Sequence, residues 1–164
     1  MSNINELPPV RQFKNAWIFK HKSLPIAESD LTKIKPMTIE RANILWDTFI
    51  SRQVDHPDFF KKGDWPSDNN NWSEQGKWEG IWDSNEEALP QLIESHLDWD
   101  QNTVVYYCSS RDNVIETNWL TFNRCWKNFL FMDDGPILLG KKRQQAVQFT
   151  SNGYFKIGQK PSNI

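Results

Sequence analysis

The most strand-like segment of the chain is TVVYYC at residues 103–108, a run of β-branched and aromatic side chains. Both alternating faces of this run are apolar, which predicts a central strand of a sheet that is covered on both sides. Residues 117–131 follow with an apolar stripe at helical spacing. The stripe consists of Trp119, Phe122, Cys125, Trp126, Phe129 and Leu130. The segment predicts the most hydrophobic helix of the chain, placed directly after the central strand.

Three short apolar runs close the chain and predict a β-meander. They occupy residues 137–139, 146–150 and 154–157. Asn152-Gly153 separates the last two, and Asn-Gly favours a tight hairpin because both residues tolerate positive φ.

The first half of the chain is mainly helical in pattern. Thr38 is placed to cap an amphipathic helix over 38–53, and a short helix is expected within 27–33. Residues 72–82 predict a short or irregular helix, weakened by two glycines. A further helix ends near Leu97 and begins at either Ser84 or Pro90. A strand is expected at 13–19, and a long loop at 55–71.

Helices precede and separate the strands without a βαβ rhythm, so the predicted fold class is α+β. Several amphipathic helices are expected to pack on a mainly antiparallel sheet that ends in the C-terminal meander. With 164 residues and no linker-like segment, the chain predicts one domain over 1–164. Within it, 1–12 is expected to be an extended arm and 159–164 a loose tail.

Composition favours an ordinary globular protein, with 38% hydrophobic and 24% charged residues. No apolar run is long enough to span a membrane, and two cysteines are too few for a disulfide framework. These features predict a cytoplasmic protein with no membrane contact. Residues 55–100 carry 12 acidic and 3 basic side chains, whereas both flanking parts are net basic. This acidic middle argues against nucleic-acid binding.

Aromatic and basic residues outside the regular elements are the candidates for a binding surface. The chain has nine tryptophans, more than a core of this size usually contains. Trp65 and Trp72 belong to the loop region, where they either anchor the loop or contact a partner. The compact basic cluster Lys141-Lys142-Arg143 lies at a predicted hairpin turn, suited to an acidic partner or to keeping the hairpin soluble.

Candidate catalytic and metal-binding residues are few. His56 and Asp58 stand close in sequence, and His96 falls on the apolar side of its helix. None has a recognised metal-ligand spacing, so no metal or cofactor is predicted. Cys108 and Cys125 lie among bulky apolar neighbours and are expected to be inert core thiols.

Two stretches carry a resemblance to a known family. ETNW at 116–119 and CWKNFLFMDDGP at 125–136 resemble a family of small bacterial proteins that is described only as a domain of unknown function. Further similar blocks, AWIFKHK at 16–22, HPDFF at 56–60, HLDW at 96–99 and GKKR at 140–143, extend the resemblance over nearly the whole chain. The resemblance implies a single-domain cytoplasmic protein and carries no activity, cofactor or catalytic residue.

Two functional hypotheses follow. The first is a small cytosolic protein-binding or regulatory, immunity-like module without catalytic activity, whose partner is another protein. The alternative is a small hydrolase or ligand-binding enzyme with a site near His56, Asp58, Trp65 and His96. A structural subunit that buries exposed tryptophans in a homo-oligomer is a third possibility.

Overall fold

A computed structural model gives the architecture of the protein. It describes residues 26–86, 88–130, 135–150, 152–162 and 164. The predicted extended arm 1–12 and the predicted strand 13–19 lie outside the described residues.

Seven strands of the described residues form one antiparallel sheet in the order β1-β4-β3-β5-β6-β7-β2. The strands are β1 (Lys35–Pro36), β2 (Trp72–Lys77), β3 (Val104–Ser110), β4 (Asn113–Asn118), β5 (Ile137–Gly140), β6 (Gln145–Phe149) and β7 (Tyr154–Gln159). The helices are α1 (Glu28–Leu31), α2 (Ile39–Phe49), α3 (Glu79–Trp82), α4 (Gln91–His96) and α5 (Trp119–Phe129). The predicted α+β class and the C-terminal meander, β5-β6-β7, are confirmed.

Strand β3 lies inside the sheet and is buried on both faces, as its sequence predicts. Val105 and Tyr107 belong to the core on the α5 face, together with Phe122 of that helix. Tyr106 and Cys108 belong to a second core, on the face that α2 covers. Because successive side chains of a strand alternate between faces, one apolar run serves both cores.

Helix α2 begins where its cap predicts and ends four residues earlier than expected. The Thr38 hydroxyl accepts a hydrogen bond from the Arg41 backbone N–H at 3.3 Å. After Phe49 the Ser51 hydroxyl accepts hydrogen bonds from the backbone N–H groups of Gln53 and Val54, at 3.0 and 3.2 Å. These side-chain contacts compete with helical hydrogen bonding, so the chain turns away.

The prediction of a helix over residues 72–82 is wrong for its first half. Residues 72–77 form β2, which pairs with β7 at the edge of the sheet, and only Glu79–Trp82 is helical. Gly76 explains the difference, because a Cβ there would lie 2.6 Å from the Phe155 ring of β7. Gly76 would weaken a helix, but in β2 it permits close packing against the neighbouring strand.

The sequence prediction also missed β4, the strand that pairs with β3. Residues 113–118 form it, so the following helix begins at Trp119 and not at Thr117. The Asn118 side chain caps α5 by accepting from the Thr121 backbone N–H at 2.8 Å. The apolar stripe of α5 is buried as predicted.

The structure agrees more closely with the remaining predicted segments. The short helix expected within 27–33 is α1, and the last helix before β3 begins after Pro90 and not at Ser84. Residues 55–71 contain three 3₁₀ turns. Residue 159, in the expected loose tail, is the last residue of β7, and the next side chain, Lys160, is only 7% exposed. None of the helices in these described ranges has the length and apolar character needed to cross a membrane.

Replacing Tyr107 by phenylalanine tests the link between β3 and α5. The buried Tyr107 hydroxyl donates a hydrogen bond to the Phe129 carbonyl at 2.7 Å. We expect Tyr107→Phe to lower the free energy of unfolding in urea by about 1–2 kcal/mol, the usual effect of deleting a buried hydrogen bond. The matched control, Tyr154→Phe at a partly exposed ring, should change it by less than about 0.5 kcal/mol. Equal effects of the two substitutions would contradict the assigned role of the Tyr107 hydroxyl.

Candidate functional site

The predicted basic cluster lies in the turn that joins β5 to β6. Lys142 adopts a left-handed conformation, with φ of 60°, and the Arg143 backbone N–H closes the turn on the Gly140 carbonyl at 3.1 Å. A Cβ at Gly140 would lie 2.9 Å from both the Arg143 side chain and the Trp99 ring, so the turn needs glycine there. This geometry leaves Lys141 and Lys142 exposed.

A cavity of about 490 Å³ opens beside this turn. Its apolar part consists of Phe49 from α2, Tyr106 from β3 and Leu139 from β5. The other lining residues are Gly140, Lys141, Lys142, Arg143, Gln144, Lys160 and Ile164. We call this space the basic cavity, because its lining contains four cationic side chains and no acidic one. A volume of this size suits a small ligand or an inserted side chain.

Lys160 is the cation most enclosed by the basic cavity. Its Nζ lies 5.4 Å from the centroid of the Phe49 ring and donates a hydrogen bond to the Ile164 backbone oxygen at 3.4 Å. No Asp or Glu side chain of the described residues forms a salt bridge with it. Burial lowers the pKa of the Lys160 ammonium from its usual 10.5. An ammonium in this position gains from an anionic partner that reaches the cavity.

Tyr106 contributes a neutral hydroxyl-bearing ring to the same cavity. Burial raises the pKa of Tyr106 above 10.0, the Glu116 carboxylate raises it further, and the Arg41 guanidinium opposes the rise. The phenol is therefore protonated at neutral pH. Tyr106 therefore adds no negative charge to the four cations.

Arg143 has only weak partners in the structure. Its Nη2 lies 3.6 Å from the Asp100 carboxylate and 3.5 Å from the Thr103 hydroxyl. The buried Nε has no hydrogen-bond partner among the described residues. Lys141 and Lys142 form no salt bridge in the same part of the chain. The turn thus presents positive charge that the protein itself hardly neutralises.

Two further hollows adjoin the basic cavity. One, of about 490 Å³, shares Lys142, Arg143 and Gln144 with it and adds Asp98, Trp99, Asp100, Gln145 and Gln159. The other, of about 320 Å³, shares Lys160 and extends along Asn70, Asn71, Trp72, Ser73, His96, Gly158 and Gln159. The three hollows therefore form one continuous surface around the β5–β6 turn and the end of β7.

The two candidate tryptophans differ in their environment. Trp65 is 5% exposed, and its indole N–H donates to the Phe49 carbonyl at 2.7 Å, so it anchors the loop onto the α2 core. Trp72 is half-buried, stacks near Trp65 with ring centroids 5.6 Å apart, and lies under the Lys156 ammonium. Of the two, only Trp72 reaches one of the hollows.

Of the candidate residues of the enzyme hypothesis, His56 and Asp58 lie together, with the His56 Nδ1 3.5 Å from the Asp58 carboxylate, and His96 lies elsewhere. The His56 ring accepts a hydrogen bond from the Asp58 backbone N–H at 3.1 Å and so caps a 3₁₀ turn. That turn lies beside the β3–β4 hairpin, where the Asp55 carbonyl binds the Arg111 backbone. His96 contacts the Gly158 carbonyl of β7 at 2.8 Å. In the sheet, β7 lies three strand spacings, or about 14 Å, from β3, so His96 and His56 are at different places. Within the described residues no three His, Cys, Asp or Glu side chains are grouped to hold a metal ion.

Sequence reasoning located the basic turn but missed the rest of the basic cavity. Phe49 and Tyr106 belong to predicted core elements, and Lys160 belongs to the expected loose tail. No local sequence pattern predicts that Phe49 and Lys160 are neighbours, because the pairing of β7 with β6 and the packing of α2 bring them together. Only the cluster of three cations was visible in advance.

The fold and the site define a single-domain α+β protein with a basic cavity at one end of its sheet. The chain belongs to the family described as "Protein of unknown function (DUF2947)", whose model matches residues 8–158. No curated protein and no solved structure matches the chain. The family resemblance noted in the sequence is thereby confirmed.

The two thiols should be unreactive in the folded protein. Cys108 and Cys125 are both buried and free. Burial raises the pKa of the Cys108 thiol well above 9.0, and burial with the Asp30 carboxylate raises that of Cys125 to about 12.

We expect an aromatic disulfide reagent to label neither thiol rapidly in the native state and both in denaturant. As the pH rises above 9.0 only the unfolded chain gains thiolates, so the free energy of unfolding should fall. Rapid native labelling of either residue would contradict this assignment.

Proposed function

We propose that this protein is a non-catalytic binding module that recognises an acidic segment of a partner protein at the surface around the basic cavity. Its action is regulation of the partner by occupancy, as in an immunity protein, with no chemical step. The observation that carries the proposal is the set of four cations around an apolar floor. They comprise Lys141, Lys142, Arg143 and Lys160, among which only Arg143 has a salt bridge within the described residues.

Charge and shape together support a protein segment as the partner. Cations near apolar surface bind strongly to anions because the local dielectric constant is low and water is partly excluded. The three adjoining hollows give a surface longer than one small molecule needs. An extended acidic segment can follow this surface from the basic cavity to Trp72 at the far hollow, whose lining includes no acidic side chain, whereas Asp98 and Asp100 disfavour the hollow on the other side.

The chemistry of the other candidates supports binding over catalysis. The Cys108 and Cys125 thiols are held in their neutral form by burial, which removes the nucleophile that a thiol enzyme needs. His56 and His96 each contact a backbone group of their own surroundings and lie apart. The hydrolase hypothesis needs at least two of these polar groups in one concave pocket, whereas His56 and Asp58 meet at the cap of a 3₁₀ turn where the Asp58 side chain is largely exposed.

We also propose that the protein acts in the cytosol. Two free, buried thiols are suited to a reducing compartment, where no disulfide is formed. Their burial also protects them from oxidation.

Affinity capture from the native host tests the proposed function. The tagged wild-type protein is compared with the variant that carries Lys141→Glu and Lys142→Glu, by quantitative mass spectrometry and light scattering. We expect wild-type protein to recover a stoichiometric acidic partner, and recovery to fall by about tenfold or more in the variant, because like charges then face each other. Raised ionic strength should weaken capture by the wild-type protein.

The matched control carries Lys61→Glu and Lys62→Glu. These two exposed lysines lie in the loop before Trp65 and line none of the three hollows, and the substitutions change net charge equally. The control should recover the partner as the wild-type protein does. Equal loss in both variants, or a wild-type protein that stays monomeric without a partner, would refute the proposed function.

A further inference from the structure

Lys160 is held in place more firmly than the other cations of the basic cavity. Its backbone N–H donates to the Gln144 carbonyl at 2.8 Å, directly after the last residue of β7. The residue is 7% exposed, whereas Lys141 and Lys142 are exposed. A cation fixed at the base of an apolar space selects for ligand chemistry, because a ligand must bring both an anion and an apolar group.

Ile164 already shows this combination at the same place. Its backbone oxygen accepts the hydrogen bond from the Lys160 ammonium, and its residue lines the cavity beside Phe49 and Leu139. Ile164 is still 38% exposed, so it leaves part of the cavity open. The oxygen of a carbonyl or carboxylate group attached to a Cα with an aliphatic side chain therefore fits the Lys160 position, and a ligand that binds there takes the place of Ile164.

An Asp or Glu side chain matches this arrangement less well. Its carboxylate stands on a short stem that offers little apolar area to Phe49, Tyr106 and Leu139. A C-terminal residue with an aliphatic side chain carries the carboxylate and the apolar group on the same Cα. Capture of a C-terminal carboxylate is an established mode of peptide recognition.

We propose that the basic cavity binds the C-terminal residue of the partner segment, with its carboxylate at Lys160 and its aliphatic side chain on Phe49, Tyr106 and Leu139. This inference rests on the proposed function, because it takes the partner to be a polypeptide. Lys141 and Lys142 then face the acidic residues that precede the terminus. Lys160 is the residue that determines specificity for a free carboxylate.

Calorimetric titration of the full chain with synthetic peptides tests the inference. The probes are an acidic hexapeptide that ends in isoleucine with a free carboxylate, the same peptide amidated at its C-terminus, and the same peptide ending in serine. We expect one free-acid peptide to bind per chain. Amidation should weaken binding by about tenfold or more, because it removes a charge-assisted hydrogen bond, and the serine peptide should also bind more weakly.

Substitution at Lys160 locates the interaction. Lys160→Met keeps the apolar stem and removes the charge, so the free-acid and amidated peptides should then bind with similar affinity. Lys160→Arg should restore the preference for the free acid. The control is Lys156→Met, a half-buried lysine that lies over Trp72 outside the cavity, and it should retain the full preference. If Lys160→Met does not fold, the comparison of free-acid and amidated peptides on wild-type protein still decides the question.

Two simple anions distinguish the peptide terminus from other sources of charge. Isocaproate is a free aliphatic carboxylate, and inorganic phosphate lacks an apolar group. Binding of either as tight as that of the free-acid peptide would overturn the assignment of a polypeptide terminus. So would equal binding of the free-acid and amidated peptides. If host capture depends on Lys141 and Lys142 while no peptide binds, this inference fails and the proposed function stands.

Discussion

The burial of β3 on both faces is the constraint on which the rest of the structure depends. A strand inside an antiparallel sheet must hide two rows of side chains, and here Val105 and Tyr107 fill one core while Tyr106 and Cys108 fill the other. Two layers of helix are therefore required, α5 on one face and α2 on the other. The hydroxyl of Tyr107 ties β3 to the end of α5. A change of register by one residue would move each row into the wrong core.

The basic cavity is a consequence of the same arrangement at the edge of the α2 face. Helix α2 ends at Phe49, and the loop that follows is held down by Trp65, whose indole N–H binds the Phe49 carbonyl. Beyond this point the α2 face of the sheet is not covered by a helix of the described residues. Tyr106 and Leu139 therefore line a cavity next to the β5–β6 turn. The β5–β6 turn and the end of β7 place cations next to this apolar surface. Among these cations, Lys160 is the most deeply buried.

Local sequence patterns predicted the elements with strong periodicity, and tertiary contacts decided the others. The apolar run at 103–108, the stripe of α5 and the meander were predictable because each carries its own period or turn signal. Strand β2 was not, because Gly76 is explained only by the Phe155 ring of another strand. The basic turn at Lys141 was visible in the sequence as a charge cluster. Lys160 was not, since a single lysine after a strand looks the same whether it is solvated or enclosed.

Lys160 is an enclosed cation whose surroundings suit a ligand carboxylate in place of the Ile164 oxygen. An NMR titration of the lysine side-chain carbons measures the pKa of this ammonium directly, in the free protein and with the free-acid peptide bound. Burial should hold the pKa of Lys160 below 10.5 in the free protein, and binding of the free-acid peptide should raise this pKa. A Lys160 pKa at the usual 10.5, unchanged on addition of the peptide, would contradict this role of Lys160.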